Sequence, residues 1–210
     1  MSDRIFFISD THFDHARIIE LCHRPFDNVE QMNATLIENW NTKIATGDTV
    51  YHLGDFAFSK NRARVTELLH LLHGTKHLIS GNHDREVVRK ARGWNSVETR
   101  RNLRVPGIAA QFVLDHYPIE IWDKRHYGAI HLFGHIHERT CEKTSELRHN
   151  VAVDFNDFAP LSLEEVVIMM ERRVGVCMSE DWCASFQNSA LFDSAIPHFN
   201  LREKVWYDES

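Results

Sequence analysis

The sequence lacks long apolar runs and a leader-like start, and both absences disfavour membrane and secreted proteins. Its uninterrupted apolar runs are a handful of residues long, as in residues 166–170, whereas a helix that spans a bilayer needs about 20. The first residues contain no basic region followed by an apolar stretch, so no signal peptide is visible. We therefore expect a cytoplasmic protein without a membrane partner.

Paired cysteines and an excess of basic residues are also missing. The four cysteines form no CxxC pair, which disfavours a zinc ribbon or a thioredoxin-like motif and favours reduced thiols. The net charge is −6 at pH 7, and this disfavours long nucleic acid as the partner because proteins that bind it are normally basic.

The length of 210 residues and the hydrophobic fraction of 43% favour one domain with a sizeable core. We predict that this domain covers residues 1–174. Residues 175–210 have poor hydrophobic periodicity and carry six acids against two bases. This second segment is therefore predicted to be an acidic appendage, either packed on the domain or partly ordered.

The order of predicted elements favours an α/β fold. Strands predicted at residues 5–8, 49–53 and 77–80 alternate with a helix over 29–40 and a second helix around 65–72. This alternation indicates a largely parallel sheet with crossover helices. Further strands are predicted at residues 110–114, 129–133 and 150–154, and Ser162 is predicted to cap a helix that runs to about Glu171.

Histidine is the residue in excess, with 15 in 210 residues, and several histidines follow predicted strands. Five strands end in a short loop that carries Asp, His or Asn. These loops are Asp10-Thr11-His12, Gly54-Asp55, Gly81-Asn82-His83-Asp84, His116 and Gly134-His135-Ile136-His137. Because ligands of open α/β sheets bind beyond the carboxyl ends of the strands, we expect the loops to converge on one rim. Carboxylates, imidazoles and an amide are ligands typical of a Mn, Fe or Zn site.

The order of these loops resembles that of the calcineurin-like metallophosphoesterases, over roughly residues 4–170. Residues 9–15, 24–26 and 52–56 further resemble the compact, uncapped members of bacteria and phages. The resemblance implies a four-layer α/β/β/α sandwich of two mixed sheets, with a site for two metal ions at the carboxyl edge of the strands.

The resemblance also implies a role for each matching residue. One ion would be held by Asp10, His12 and His137, the other by Asn82, His116 and His135, and both by Asp55. Manganese is the first choice, with iron, zinc, nickel and cobalt as alternatives. The two ions would share a hydroxide that attacks phosphorus, and His83 would protonate the leaving alkoxide as general acid.

Three further residues are candidates for binding substrate. They are His15, Arg85 and Arg125, and for each the alternative is a solvated surface residue. Phe58 and Ser59 stand where the Ser/Thr protein phosphatase branch has an aspartate that orients the general acid and an arginine that binds phosphate. This departure weakens a protein-phosphatase assignment and leaves open what orients His83. Asp115, before His116, is a candidate for orienting a histidine.

The function that the resemblance implies is metal-dependent hydrolysis of a phosphate ester. We favour a phosphodiesterase that acts on small nucleotide diesters, including cyclic ones, because the chain has no long cap insertion and lacks the Asp-Arg pair. The alternatives are a phosphomonoesterase or protein phosphatase, a metal-dependent nuclease, and a non-catalytic scaffold in which the metal site organises binding.

Overall fold

Two mixed sheets organise residues 4–137 and 147–174, which are the residues that the computed structural model describes. The strands are β1 (Ile5–Ile8), β2 (Thr49–His52), β3 (Thr75–Ile79), β4 (Trp94–Glu98), β5 (Arg100–Arg104), β6 (Gln111–Asp115), β7 (Ile130–Phe133), β8 (Arg148–Asn150) and β9 (Leu161–Ser162). The helices are α1 (Ala16–Leu21), α2 (Val29–Lys43), α3 (Arg62–Leu71), α4 (Glu86–Arg89) and α5 (Leu163–Val174). The predicted appendage at 175–210 lies outside the described residues, so the domain boundary stays a prediction.

The first sheet has the strand order β4-β3-β2-β1-β9, in which β1 to β4 are parallel and β9 is antiparallel. Because side chains alternate along a strand, Phe6 and Ile8 of β1 pack against α2 and α3, whereas Phe7 points to the second sheet. The helices contribute buried residues at three- and four-residue steps, such as Leu36 and Trp40 of α2. The predicted strand–helix alternation is thus confirmed.

The second sheet has the order β5-β6-β7-β8, with β5 antiparallel and the others parallel. Its inner face packs on the first sheet through Phe112, Leu114, Ile130 and Leu132, and α5 adds to the same core. The outer face is covered by the segment 117–129, in which Trp122 packs on Val113 and Ala129 and a short 3-10 helix forms at Arg125–Tyr127. The two stacked mixed sheets confirm the predicted fold class.

Two edge strands were not predicted from the sequence. Strands β4 and β5 alternate exposed and half-buried residues and carry many charges, so neither shows the apolar run of a buried strand. The chain passes from the first sheet to the second between them, at Thr99. The strand predicted at 150–154 is shifted: β8 ends at Asn150, and Val153–Phe155 form a 3-10 helix because Asn150 and Asn156 bond the intervening backbone.

Helix α5 begins as predicted. The Ser162 hydroxyl accepts from the Glu165 backbone N–H at 3.1 Å, and the Glu165 carboxylate accepts from the Ser162 N–H at 2.6 Å, which is a capping box. Among the helices of the described residues, none is long and apolar enough to cross a membrane.

Candidate metal centre

The loops after β1 and β2 are joined by backbone hydrogen bonds at the carboxyl edge of the first sheet. The Asp10 N–H donates to Gly54 at 2.9 Å, and the His12 N–H donates to Asp55 at 3.0 Å. Asp10, His12 and Asp55 each adopt a left-handed backbone conformation, with φ of 57°, 49° and 57°. Non-glycine residues in this region are strained, and such strain is concentrated at functional sites.

Two glycines permit the close approach of these loops. A Cβ atom built on Gly81 would clash with the Asp55 carboxylate, and one built on Gly134 would clash with the Asp10 carboxylate. Any side chain at these positions would therefore displace a carboxylate that faces the site.

The first cluster of candidate ligands contains Asp10, His12 and His137. Their nearest ligand atoms all lie within 4.8 Å of one another. The Asp10 Oδ1 and His12 Nε2 atoms are fully buried and have no hydrogen-bond partner among the described residues. Since buried polar atoms are nearly always satisfied, this arrangement is chemically suited to a cation between them. Burial lowers the pKa of His12, and this favours the neutral imidazole that coordinates metals.

The second cluster contains Asp55, His116 and His135, whose ligand atoms also lie within 4.8 Å of one another. Asp55 lies between the clusters, because its Oδ2 atom is 3.6 Å from His116 Nε2 and 3.7 Å from His12 Nε2. The Asn82 Oδ1 atom lies 3.1 Å from His116 Nε2. The structure thus brings together all seven residues that the sequence predicts as ligands, with Asp55 close to a histidine of each cluster.

An aspartate that the sequence reasoning missed supports the first cluster. Asp154 Oδ2 lies 2.8 Å from His137 Nδ1, and the Asp154 carboxylate accepts two bonds from the buried Arg24 guanidinium at 2.8 and 2.9 Å. Arg24 also donates to the carbonyl oxygens of Asp10 and Thr11. Asp154 is the last residue of the strand predicted at 150–154, and this place at a predicted strand end was the available signal.

The surroundings of His137 attract positive charge. Burial lowers the pKa of His137, but its bonds to Asp154 and Cys22 and the nearby charge of Asp10 outweigh burial and raise the pKa to about 10. A divalent cation would take the place of the proton that these groups favour. Cys22, His137 and Asp154 also form a compact group. Because Asp154 is already paired with Arg24, a cation is disfavoured there and Asp154 instead orients His137.

Asp84 joins the loops after β2 and β3. Its buried carboxylate accepts from the backbone N–H groups of Asp55 and Gly81 at 2.8 Å and of Phe56 at 2.9 Å. Burial is the main cause that raises the pKa of Asp84 to about 6. The His83 N–H donates to Asp55 Oδ1 at 2.8 Å, so the backbone of the predicted general acid is fixed relative to the shared carboxylate.

The His83 side chain is exposed. Its neighbours are aromatic rings, and not the carboxylate that could have oriented it as general acid. Its ring lies 5.7 Å from the His12 ring and 6.1 Å from the Phe58 ring. No side-chain carboxylate bonds to His83 in the described parts of the chain. The suggestion that Asp115 orients a histidine is wrong, because its carboxylate accepts from Arg100 at 2.7 Å and from the Tyr117 backbone at 2.8 Å.

Two of the three predicted substrate-binding residues lie on this exposed side. The His15 Nδ1 atom is 3.4 Å from His12 Nδ1, and the Arg85 guanidinium lies over the Phe58 ring. Arg125 lies over the Trp122 ring, in the segment on the outer face of the second sheet. Binding of substrate by these residues stays a prediction.

Comparison with known proteins gives consistent results. Residues 4–152 match the model of the calcineurin-like phosphoesterase superfamily domain. The chain is 38% identical to an uncharacterized protein of Methanocaldococcus jannaschii over 80% of this chain and 92% of that protein. It is 32% identical to the Gene 66 protein of Mycobacterium phage D29 over 67% of this chain and 81% of that protein.

A solved structure shares the fold. The structure of a protein of unknown function, AQ665 from Aquifex aeolicus, matches with a TM-score of 0.64 and 26% identity, covering 79% of this chain and 98% of that one. The family match extends over most of the described residues and includes the loops of both clusters up to His137. The chain therefore belongs to the calcineurin-like phosphoesterase superfamily.

Proposed function

We propose that the protein is a metal-dependent phosphoesterase. The observation that carries this proposal is the pair of ligand clusters at the strand ends, with Asp55 of the second cluster also 3.7 Å from His12 of the first. The buried Asp10 Oδ1 and His12 Nε2 atoms have no hydrogen-bond partner among the described residues. Such atoms would be costly in a non-catalytic loop, because each loses its hydrogen bonds to water on folding.

In the proposed site, Asp10, His12 and His137 would hold one divalent ion, Asn82, His116 and His135 would hold a second, and Asp55 would serve both. Oxygen and imidazole donors suit manganese, our first choice, and also iron, zinc, nickel and cobalt. When bound, the ions supply positive charge to the phosphate oxygens and lower the pKa of water.

The chain's own residues supply the remaining chemistry. His83 is exposed next to the proposed ligand His12, so it can reach an ester oxygen from the open side. As water attacks phosphorus and the bond to the leaving oxygen breaks, His83 donates its proton to that oxygen. Asp84 fixes the position of the His83 loop relative to Asp55. Asp154 holds the His137 ring in its ligating orientation.

We favour a phosphodiesterase with small nucleotide substrates, cyclic ones included. The support for this choice is the exposure of Asn82, His83 and His135 at the rim, which leaves space for two ester substituents. Phe58 and Ser59 also take the places of the Asp-Arg pair that protein phosphatases use. The cytoplasmic location and the nucleotide substrate remain predictions.

The test is hydrolysis of p-nitrophenyl phosphate, its bis ester, a cyclic nucleotide and an oligonucleotide by the protein loaded with manganese and, in parallel, with iron, zinc, nickel or cobalt. We expect the bis ester and the cyclic nucleotide to be hydrolysed faster than the monoester. Asp55→Asn should abolish hydrolysis, whereas Glu120→Gln, an exposed change in the segment 117–129, should leave it unchanged. Preferential cleavage of the oligonucleotide would support the nuclease alternative, and no hydrolysis with any metal would reject the enzyme.

A further inference from the structure

Phe58 is an aromatic side chain that stays 42% exposed although it lies beside the candidate metal centre. Its ring stacks on the His15 ring, with 4.2 Å between centroids and 18° between planes, and meets the His83 ring at 6.1 Å. Both of these rings contact the His12 ring, His15 at 5.3 Å and His83 at 5.7 Å. Phe58 therefore contacts two histidine rings, those of His15 and His83, and each of them contacts the proposed metal ligand His12.

The guanidinium carbon of Arg85 lies 5.7 Å from the centroid of the same Phe58 ring, which is within the range of a cation–π contact. Within residues 4–137 and 147–174, this guanidinium makes no ion pair or hydrogen bond. Arg24 and Arg64, which fix the loop after β1, are by contrast each paired with an aspartate at 2.8 and 2.9 Å. Arg85 thus carries a positive charge that no described carboxylate neutralises, next to the site.

The exposed Phe58 ring and the Arg85 guanidinium, which no described carboxylate neutralises, lie together at the open side of the candidate metal centre. We propose that Phe58 is a positioning residue that holds Arg85 over its ring, so that the guanidinium contacts the non-bridging oxygens of the substrate phosphate. This inference rests on the proposed phosphoesterase function.

The chemistry of the guanidinium fits a diester. A phosphodiester keeps two non-bridging oxygens, and the guanidinium can donate two parallel N–H bonds to such a pair. A lysine in the same place would supply the charge without the planar pair of donors and without equivalent stacking on the ring.

The first experiment measures binding of inorganic phosphate to the manganese-loaded protein by calorimetry, and KM and kcat for the bis(p-nitrophenyl) ester. Arg85→Gln should weaken phosphate binding and raise KM by about tenfold, with little change in kcat, because it removes a charge-assisted contact made before and during the reaction. Arg85→Lys should have a phosphate affinity and a KM between those of the wild type and of Arg85→Gln. Arg89→Gln, which removes a charge at the other end of α4, should have no effect on either quantity.

The second experiment tests whether Phe58 acts through Arg85. Phe58→Leu should weaken phosphate binding by about threefold, the size of an exposed cation–π contact, and Phe58→Tyr should restore wild-type binding. In the Arg85→Gln background, Phe58→Leu should have no further effect on phosphate binding. Metal content should equal that of the wild type in every variant.

The outcomes separate this inference from the proposed function. Wild-type phosphate affinity in Arg85→Gln, or an undiminished effect of Phe58→Leu in that background, would overturn the positioning role even if esters are hydrolysed. The inference would likewise be rejected if the manganese-loaded wild type bound no phosphate. If phosphate binds and depends on Arg85 but no ester is hydrolysed, the proposed function fails while the inference stands.

Discussion

The buried and open sides of the candidate metal centre are built differently. On the buried side, Asp10 and His12 are almost inaccessible to solvent. Arg24 donates to the Asp10 carbonyl oxygen, and Asp154 bonds the His137 ring. On the open side, His83 and Arg85 are exposed and contact aromatic rings rather than carboxylates. From this difference we expect metal binding to depend on the buried network, and contact with substrate to depend on side chains that can be changed without loss of the metals.

The largest expected effect comes from the carboxylate shared by the two clusters. Asp55→Ala should abolish metal binding and with it all hydrolysis, because Asp55 lies within reach of His12 and His116 and is proposed to bridge both ions. Metal content measured by mass spectrometry checks this, with Glu120→Gln as the control. If Asp55→Ala kept both ions, Asp55 could not be the ligand that the two ions share.

A change on the open side should separate chemistry from metal binding. His83→Ala should retain both ions and lower turnover by about 100-fold or more for alkyl leaving groups, which need a proton most. The loss should be smaller for p-nitrophenolate, a better leaving group. His70→Ala, an exposed histidine on α3, is the matched control. Equal losses for both leaving groups would contradict a general-acid role.

The buried network should couple metal binding to stability. Asp154→Ala leaves the Arg24 guanidinium buried without its partner and should lower the free energy of unfolding by about 3 kcal/mol. It should also weaken metal affinity by roughly tenfold or more, since His137 loses the group that orients it.

An ion pair whose cation is exposed provides the comparison for this prediction. Arg4, whose side chain is 58% exposed, pairs with Asp48, and Arg4→Ala should cost only about 1 kcal/mol or less. Urea unfolding with and without manganese measures both variants. Equal losses of the free energy of unfolding in Asp154→Ala and Arg4→Ala would contradict a larger contribution from the buried network around Arg24.

A smaller effect than that of Asp154→Ala is expected from the pH dependence of His52, which lies beneath the centre and bonds Thr11. Burial lowers the pKa of His52 to about 3, below the value of 6.5 expected in the unfolded chain. Protonation therefore favours unfolding: the stability contributed by the neutral ring is complete above pH 6.5 and is lost as the pH falls towards 3. Between pH 7.5 and 5.5 we expect a loss of roughly 1.4 kcal/mol from this group.

Metal-free protein in chelator isolates this contribution, because ligand protonation then does not change metal occupancy. Unfolding of the wild type and of His52→Asn should be compared at both pH values. The free energy of unfolding should depend less on pH in His52→Asn than in the wild type. An equal pH dependence in both would contradict a buried neutral His52.

Much of the site could be predicted from the sequence because its residues lie directly after buried strands. The apolar runs before Asp10, Asp55 and His116 identify β1, β2 and β6, and parallel strands bring their carboxyl ends together. The resemblance then supplied the grouping of the ligands into two sets.

The rest depended on contacts between distant segments. Arg24 and Asp154 are 130 residues apart in sequence, and no local pattern indicates that they pair. The role of Phe58 was hidden because the sequence shows only that an aspartate is absent there, whereas the ring contacts with His15 and Arg85 require the fold. Strands β4 and β5 were missed because edge strands need not be apolar.

Anomalous diffraction from crystals grown with manganese tests the central claim most directly. We expect two adjacent peaks, one among Asp10, His12 and His137 and the other among Asn82, His116 and His135, with Asp55 contacting both. A single peak, or peaks placed away from these side chains, would contradict the account of a centre for two metal ions.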